Sequence, residues 1–165
     1  MRFTIEQRFS TPPDAVAAAY TDPDLYAAHA DGPKLARPEV VAHRVEGDKV
    51  LLQVRYRFRG DLSSAARAVL DPERLTWVEH STHDLATRTT TFVLKPDHYG
   101  DRFRCNGSLR IEPLDGGSRR HGNGEIKVRA PLVGGTVERT LVGDLQSHLA
   151  AEVAVVDAFV ADRAG

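Results

Sequence analysis

The 165-residue chain is 41% hydrophobic and 27% charged, which is enough for one packed core and too apolar for a disordered segment. Its formal net charge of −1 argues against general nucleic-acid binding. A single cysteine, Cys105, excludes an intrachain disulfide and a thiolate metal cluster. Residues 1–9 alternate instead of forming a signal-peptide core, and no apolar run reaches membrane-spanning length. The expectation is a single cytoplasmic domain over residues 1–165, without an integral membrane segment.

Phe3, Ile5 and Phe9 alternate with Arg2, Thr4, Glu6 and Arg8, the period of a half-buried strand. Ser10-Thr11-Pro12-Pro13-Asp14 carries a helix start, with Thr11 as N-cap and Pro12 at the first helical position. Thr21-Asp22-Pro23-Asp24 repeats that signal and opens a second short helix, which Asp31-Gly32-Pro33 ends. Val40–Val45 and Val50–Phe58 flank a turn at Glu46-Gly47-Asp48. In the second of these runs Val50, Leu52, Val54, Tyr56 and Phe58 share a face, and Gln53, Arg55, Arg57 and Arg59 the other. That division describes an antiparallel sheet with one wet side.

Ser63–Leu70 is a helical insert. Three more strands follow at Leu75–Thr82, Thr87–Leu94 and Phe103–Ile111. After the turn Leu114-Asp115-Gly116-Gly117, another places Gly122, Gly124, Ile126 and Val128 on one face. The last run, Pro131–Arg163, repeats apolar residues at Val133, Val137, Leu141, Leu145, Leu149, Val153, Val156 and Val160. Glu138, Asp144, Gln146, Glu152 and Asp157 are assigned to its other sides. As a helix it is about 45 Å long. A helix of that length laid across a curved sheet encloses a volume.

The order β-αα-ββ, helical insert, ββββ and long helix resembles the helix-grip fold of the START-like, or Bet v 1-like (SRPBCC), superfamily. The segment Val128-Arg129-Ala130-Pro131-Leu132-Val133-Gly134-Gly135 with Glu138 is similar to the "PLxGGxxE" junction of an uncharacterised, mostly bacterial branch. The resemblance implies an α+β fold: a seven-stranded antiparallel sheet around the C-terminal helix, with two short helices after the first strand. It implies no single activity, because the superfamily hosts lipid carriers, hormone receptors, polyketide cyclases and ring-hydroxylating subunits. The residues account for the junction in their own way. Pro131 suits a first helical turn, whereas Gly134 and Gly135 weaken the helix start and point to close packing on the sheet or to a helix that begins after them.

Strand parity and helix phase make Tyr56, Trp77, Phe103, Ile126, Leu141, Leu145 and Leu149 the walls of the enclosed volume, and Phe92 joins them on assigning Thr90 and Leu94 inward as well. Glu79 shares the face of Trp77 and reads as a ligand anchor or general base in apolar surroundings, or else as the ion-pair partner of an arginine. His43 and His148 are inward candidates with the same choice between ligand contact and core hydrogen bonding. His80 and His83 fall on opposite faces of one strand, and no HExxH spacing, catalytic triad order or phosphate loop appears, so neither a metal nor a cofactor is expected. The outward arginines read as a solvated face paired with Glu112 and Glu125. The leading function is non-catalytic binding or carriage of a small hydrophobic or amphipathic molecule, lipid- or polyketide-like. The alternatives are a cyclase- or hydrolase-type enzyme using Glu79 with Tyr56 or His43, and a protein-interaction module with a filled core.

Overall fold

The period-two runs form one antiparallel sheet and the long apolar repeat one helix, in a computed structural model that describes residues 1–165. Strand β1 (Arg2–Phe9) leads into helices α1 (Pro13–Tyr20) and α2 (Pro23–Ala28) and the hairpin β2 (Glu39–Glu46) and β3 (Lys49–Arg57). A short helix α3 (Ser64–Arg67) and a 3-10 turn at Pro72–Arg74 precede β4 (Thr76–Asp84), β5 (Thr89–Pro96), β6 (Phe103–Leu114) and β7 (Gly117–Val128). Helix α4 (Gly134–Ala164) follows. The sheet order is β1-β7-β6-β5-β4-β3-β2 with every pair antiparallel. This is the helix-grip architecture expected from the order of elements.

Parity holds along the strands. Phe3, Ile5, Leu52, Val54, Phe92, Cys105, Leu109 and Ile126 are buried on the inner face. On the outer face Arg55 pairs with Asp97 at 2.7 Å and Arg119 with Glu112 at 3.1 Å, as a cross-paired wet surface requires. The hairpin turns place Gly47 and Gly116 at φ of 61° and 79°, which favours glycine. Helices α1 and α2 cover one end of the grip, where Val16, Tyr20, Leu25 and Tyr26 join Phe9, Leu52, Val54, Ile111 and Val156 in one apolar cluster. A second cluster holds Phe3, Ile5, Phe92, Cys105, Leu109, Ile126 and Val142.

Four local expectations are corrected. Pro12 is itself the N-cap of α1 and makes no side-chain cap, because the Thr11 hydroxyl instead donates to Asp157 Oδ1 of α4 at 2.7 Å. Helix α4 begins at Gly134 rather than Pro131; Leu132, at φ 69° and fully exposed, turns the chain first. An added Cβ at Gly134 would lie 2.5 Å from the Val128 carbonyl oxygen, so the glycine is there for close approach to the sheet. On edge strand β2 a bulge between Val40 and Ala42 breaks the register, and Val41 and Val45 are exposed.

The fourth correction concerns the buried side of α4. Glu138 and Glu152, assigned to the solvent sides, are both buried, at 6% exposure each. The carboxylate of Glu138 accepts the Val128 N–H at 2.8 Å, at the last residue of β7. Leu141, Leu145 and Leu149 pack against the second cluster but stay only partly buried.

Candidate ligand cavity

A cavity of about 150 Å³ remains between the sheet and the first half of α4, so the grip is not filled. Its walls include Trp77, Phe103, Ile126, Leu141 and Leu145, five of the residues that parity and phase nominated. Each comes from a local device. Trp77 follows from alternation in β4, Phe103 and Ile126 from alternation in the paired strands β6 and β7, and the two leucines from one-turn spacing on α4. Phe58, Leu75, Leu94 and Val137 extend the same apolar wall. A larger open groove of about 910 Å³ lies beside β1, β6 and β7, but mostly polar residues such as Asn106, Asn123 and Gln146 line it.

The other nominated residues surround the cavity without lining it. Tyr56, the cross-strand partner of Trp77, stacks on it with ring centroids 5.8 Å apart and planes 15° from parallel, and so supports the wall from the side. Phe92 is buried in the second cluster against Gly107, where an added Cβ would lie 2.6 Å from its ring. Leu149 packs on the same cluster, and its carbonyl accepts the Gln7 side-chain N–H at 2.7 Å. His148 stands beside His29, ring centroids 6.4 Å apart. His43 is corrected outright. On the exposed edge strand its Nε2 meets the Thr21 carbonyl at 3.1 Å, away from the cavity.

Glu79 stands one inner-face position beyond Trp77 and opposite Leu94, which lines the cavity. Its carboxyl makes no ion pair with an arginine, contrary to one of the two expectations, and it keeps partial exposure. Burial pushes this carboxyl up to about 7, with the charge of Arg120 pulling down and that of Glu152 pushing up. It is a half-protonated acid near neutrality, free to donate or accept a hydrogen bond. Cys105 lies close by on the cavity wall, where burial raises its thiol to about 12 and leaves it inert.

Beyond Glu79 lies a polar cluster that sequence reasoning missed. Glu152 Oε2 accepts the Tyr20 hydroxyl at 2.7 Å and the Gln7 amide at 3.2 Å, and Oε1 faces His29 Nε2 at 3.6 Å. Arg120 donates to Gln7 Oε1 at 2.7 Å, stands 4.0 Å from Glu152, and lies over the Tyr20 ring at 3.9 Å. Burial raises the Glu152 carboxyl, but the facing His29 imidazole, the charge of Arg120 and the Tyr20 hydroxyl prevail and hold it down at about 2. His83, by contrast, is kept neutral by burial and then by Arg120, at about 3, with hydroxyl partners Ser81 and Thr90 each at 3.0 Å.

The signal for this cluster was present. Gln7 shares the parity of Ile5 and Phe9, and Arg120 that of Gly122 and Ile126. Glu152 lies three residues after Leu149 and four before Val156, on the apolar stripe itself. Two carboxyls in one interior, one near 7 and one near 2, mark Glu79 as the group able to exchange a proton and Glu152 as a fixed anion.

A family model described as a protein of unknown function (DUF2505) matches residues 4–160. No curated protein matches the sequence. Among solved structures the fold is similar to that of TTHA0849 from Thermus thermophilus, at 18% identity and a TM-score of 0.68 over all of both chains. It is also similar to a START superfamily protein from Mycobacterium smegmatis, at 14% identity and 0.58, covering 98% of this chain and 97% of that one. Ara h 8.0201 matches at 15% identity and 0.58, covering 98% of each chain. At these identities the likeness is one of fold, and it agrees with the START-like superfamily that the junction resembles. No helix is long and apolar enough to cross a membrane.

Proposed function

The chain belongs to the family of proteins of unknown function described as DUF2505, and we propose that it binds a small hydrophobic or amphipathic molecule between the sheet and α4, acting as a single domain. The observation that carries this reading is the apolar cavity of about 150 Å³ bounded by Trp77, Phe103, Ile126, Leu141 and Leu145. An enclosed apolar space with few convergent polar groups is the usual form of a small-molecule site. In this reading Glu79, next to Trp77 on the inner face, bounds the far side of the site, while Tyr56, Phe92 and Leu149 hold the walls in place. His148 supports the polar cluster.

Trp77 is the only tryptophan in the chain and lines the cavity, so its fluorescence reports occupancy directly. Titration with 1-octanol should shift or quench that emission. Leu145→Phe fills space that is already empty, so it should leave the thermal midpoint nearly unchanged while weakening octanol binding several-fold; overfilling a close-packed core would instead cost about 1–3 kcal/mol. Loss of stability in the variant, with no octanol response in the parent, would refute the reading.

A second reading has its own observation. Glu79, unpaired and near neutrality, has the properties of a general acid or base of the cyclase or hydrolase type. Turnover of a candidate substrate that disappears in Glu79→Gln, with octanol binding retained, would favour it over carriage.

A further inference from the structure

The cavity has a chemically distinct mouth. Three segments that are remote in sequence bring cations to it: Lys34 from the loop before β2, Arg74 from the 3-10 turn, and Arg102 from the turn before β6. The only carboxylate among the lining residues is Asp144 of α4, 3.9 Å from Lys34. Arg74 stacks over the Tyr99 ring at 5.5 Å and contacts His98 Nδ1 at 3.3 Å. Neither it nor Arg102 is matched with a carboxylate, unlike Arg55 and Arg119 on the outer face. Three cations thus face one anion at the rim, in a chain whose overall formal charge is −1.

We propose that this rim selects an amphiphile with a single anionic head group, a carboxylate or a phosphate monoester, whose apolar body enters the cavity tail first. The inference rests on the cavity reading above and adds the ligand's charge and orientation. Guanidinium groups without carboxylate partners present paired N–H donors in the geometry that carboxylates and phosphates accept. Apolar, low-dielectric walls around the opening focus their field on whatever sits in it. Away from the rim the lining is Trp77, Leu94, Phe103, Ile126, Leu141 and Leu145, which offer a charged head group no partner and suit an apolar tail.

The test is a Trp77 fluorescence titration of the full chain with 1-octanol, octanoate, octyl phosphate and octylamine at pH 7.5. An anionic probe should saturate at a concentration at least fivefold below that of octanol, and octylamine should bind worst. Raising the salt to 0.5 M should shrink that advantage, because charges at an open rim are screened. In the Arg74→Gln/Arg102→Gln double variant the advantage of the anionic probe over octanol, both measured on that variant, should fall to less than twofold, and a thermal midpoint matching the parent's shows that the variant is folded; a retained advantage would overturn the inference. Whichever of octanoate and octyl phosphate binds more tightly identifies the head group. If octanol binds and no anionic probe exceeds it, the head-group inference falls and the cavity reading stands. If no probe alters the emission, the cavity reading falls and the inference falls with it.

Discussion

Glu79 is a carboxyl held far from what its chemistry prefers. An acid with an ordinary value of 4.5 held at about 7 is protonated in the folded chain, and ionised in the unfolded chain, across the interval between them. Folding therefore takes up a proton there, and stability falls as pH rises from about 4.5 to 7, by up to about 3 kcal/mol. Glu79→Gln keeps the shape of the neutral form and removes that dependence. Urea unfolding should find the variant about 2–3 kcal/mol more stable than the parent at pH 8 and nearly equal to it at pH 4.5. An equal difference at both pH values would contradict the assignment. A residue that lowers stability under neutral conditions is a better candidate for a functional group than for a structural one.

Two glycines of α4 separate helix propensity from packing. Gly143 lies in the helix interior with no atom within 4 Å of an added Cβ, so Gly143→Ala should stabilise by roughly 1 kcal/mol. Gly134 has the Val128 carbonyl oxygen 2.5 Å from the same position, and backbone cannot move aside as a side chain can. Gly134→Ala should therefore destabilise by about 1–3 kcal/mol despite the gain in propensity, and thermal denaturation of the two variants should move in opposite directions. The elements themselves were legible because each strand has one wet face, and alternation records which face that is. The phase of α4 was less legible. Val153 and Glu152 compete for the same stripe, hydrophobicity favours the valine, and the geometry buries the glutamate because Tyr20, Gln7 and Arg120 wait for it on three other elements. Such a cluster cannot be read from any one segment, since each member looks like an ordinary surface residue until its partners are known. The edge strand misled for a simpler reason: inner-face parity at His43 carries no burial where the sheet has no neighbour to continue it.

Across the whole molecule, the Arg120–Glu152 group joins β1, β7, α1 and α4 at one point. Removing one partner strands the other's charge in the interior. Arg120→Met alone should therefore cost about 3–5 kcal/mol. Arg120→Met with Glu152→Gln should cost clearly less than the sum of the single changes, a coupling that a double-mutant cycle in urea would measure. Glu152 is held at about 2, so its contribution is complete above about pH 4.5 and lost as pH falls towards 2. The double variant should lack that acid limb. The strand order carries a further consequence, for the route by which the chain reaches this state. The first strand made is an edge whose sole neighbour is the last, with Phe3 opposite Gly124 and Phe9 opposite Ser118. On the ribosome, β1 emerges with Phe3, Ile5 and Phe9 uncovered and no strand to join until almost the entire sheet has been synthesised. Closure is a late, long-range event, so folding should be slow for a chain of this size, and the nascent N-terminal segment is the part most in need of chaperone protection.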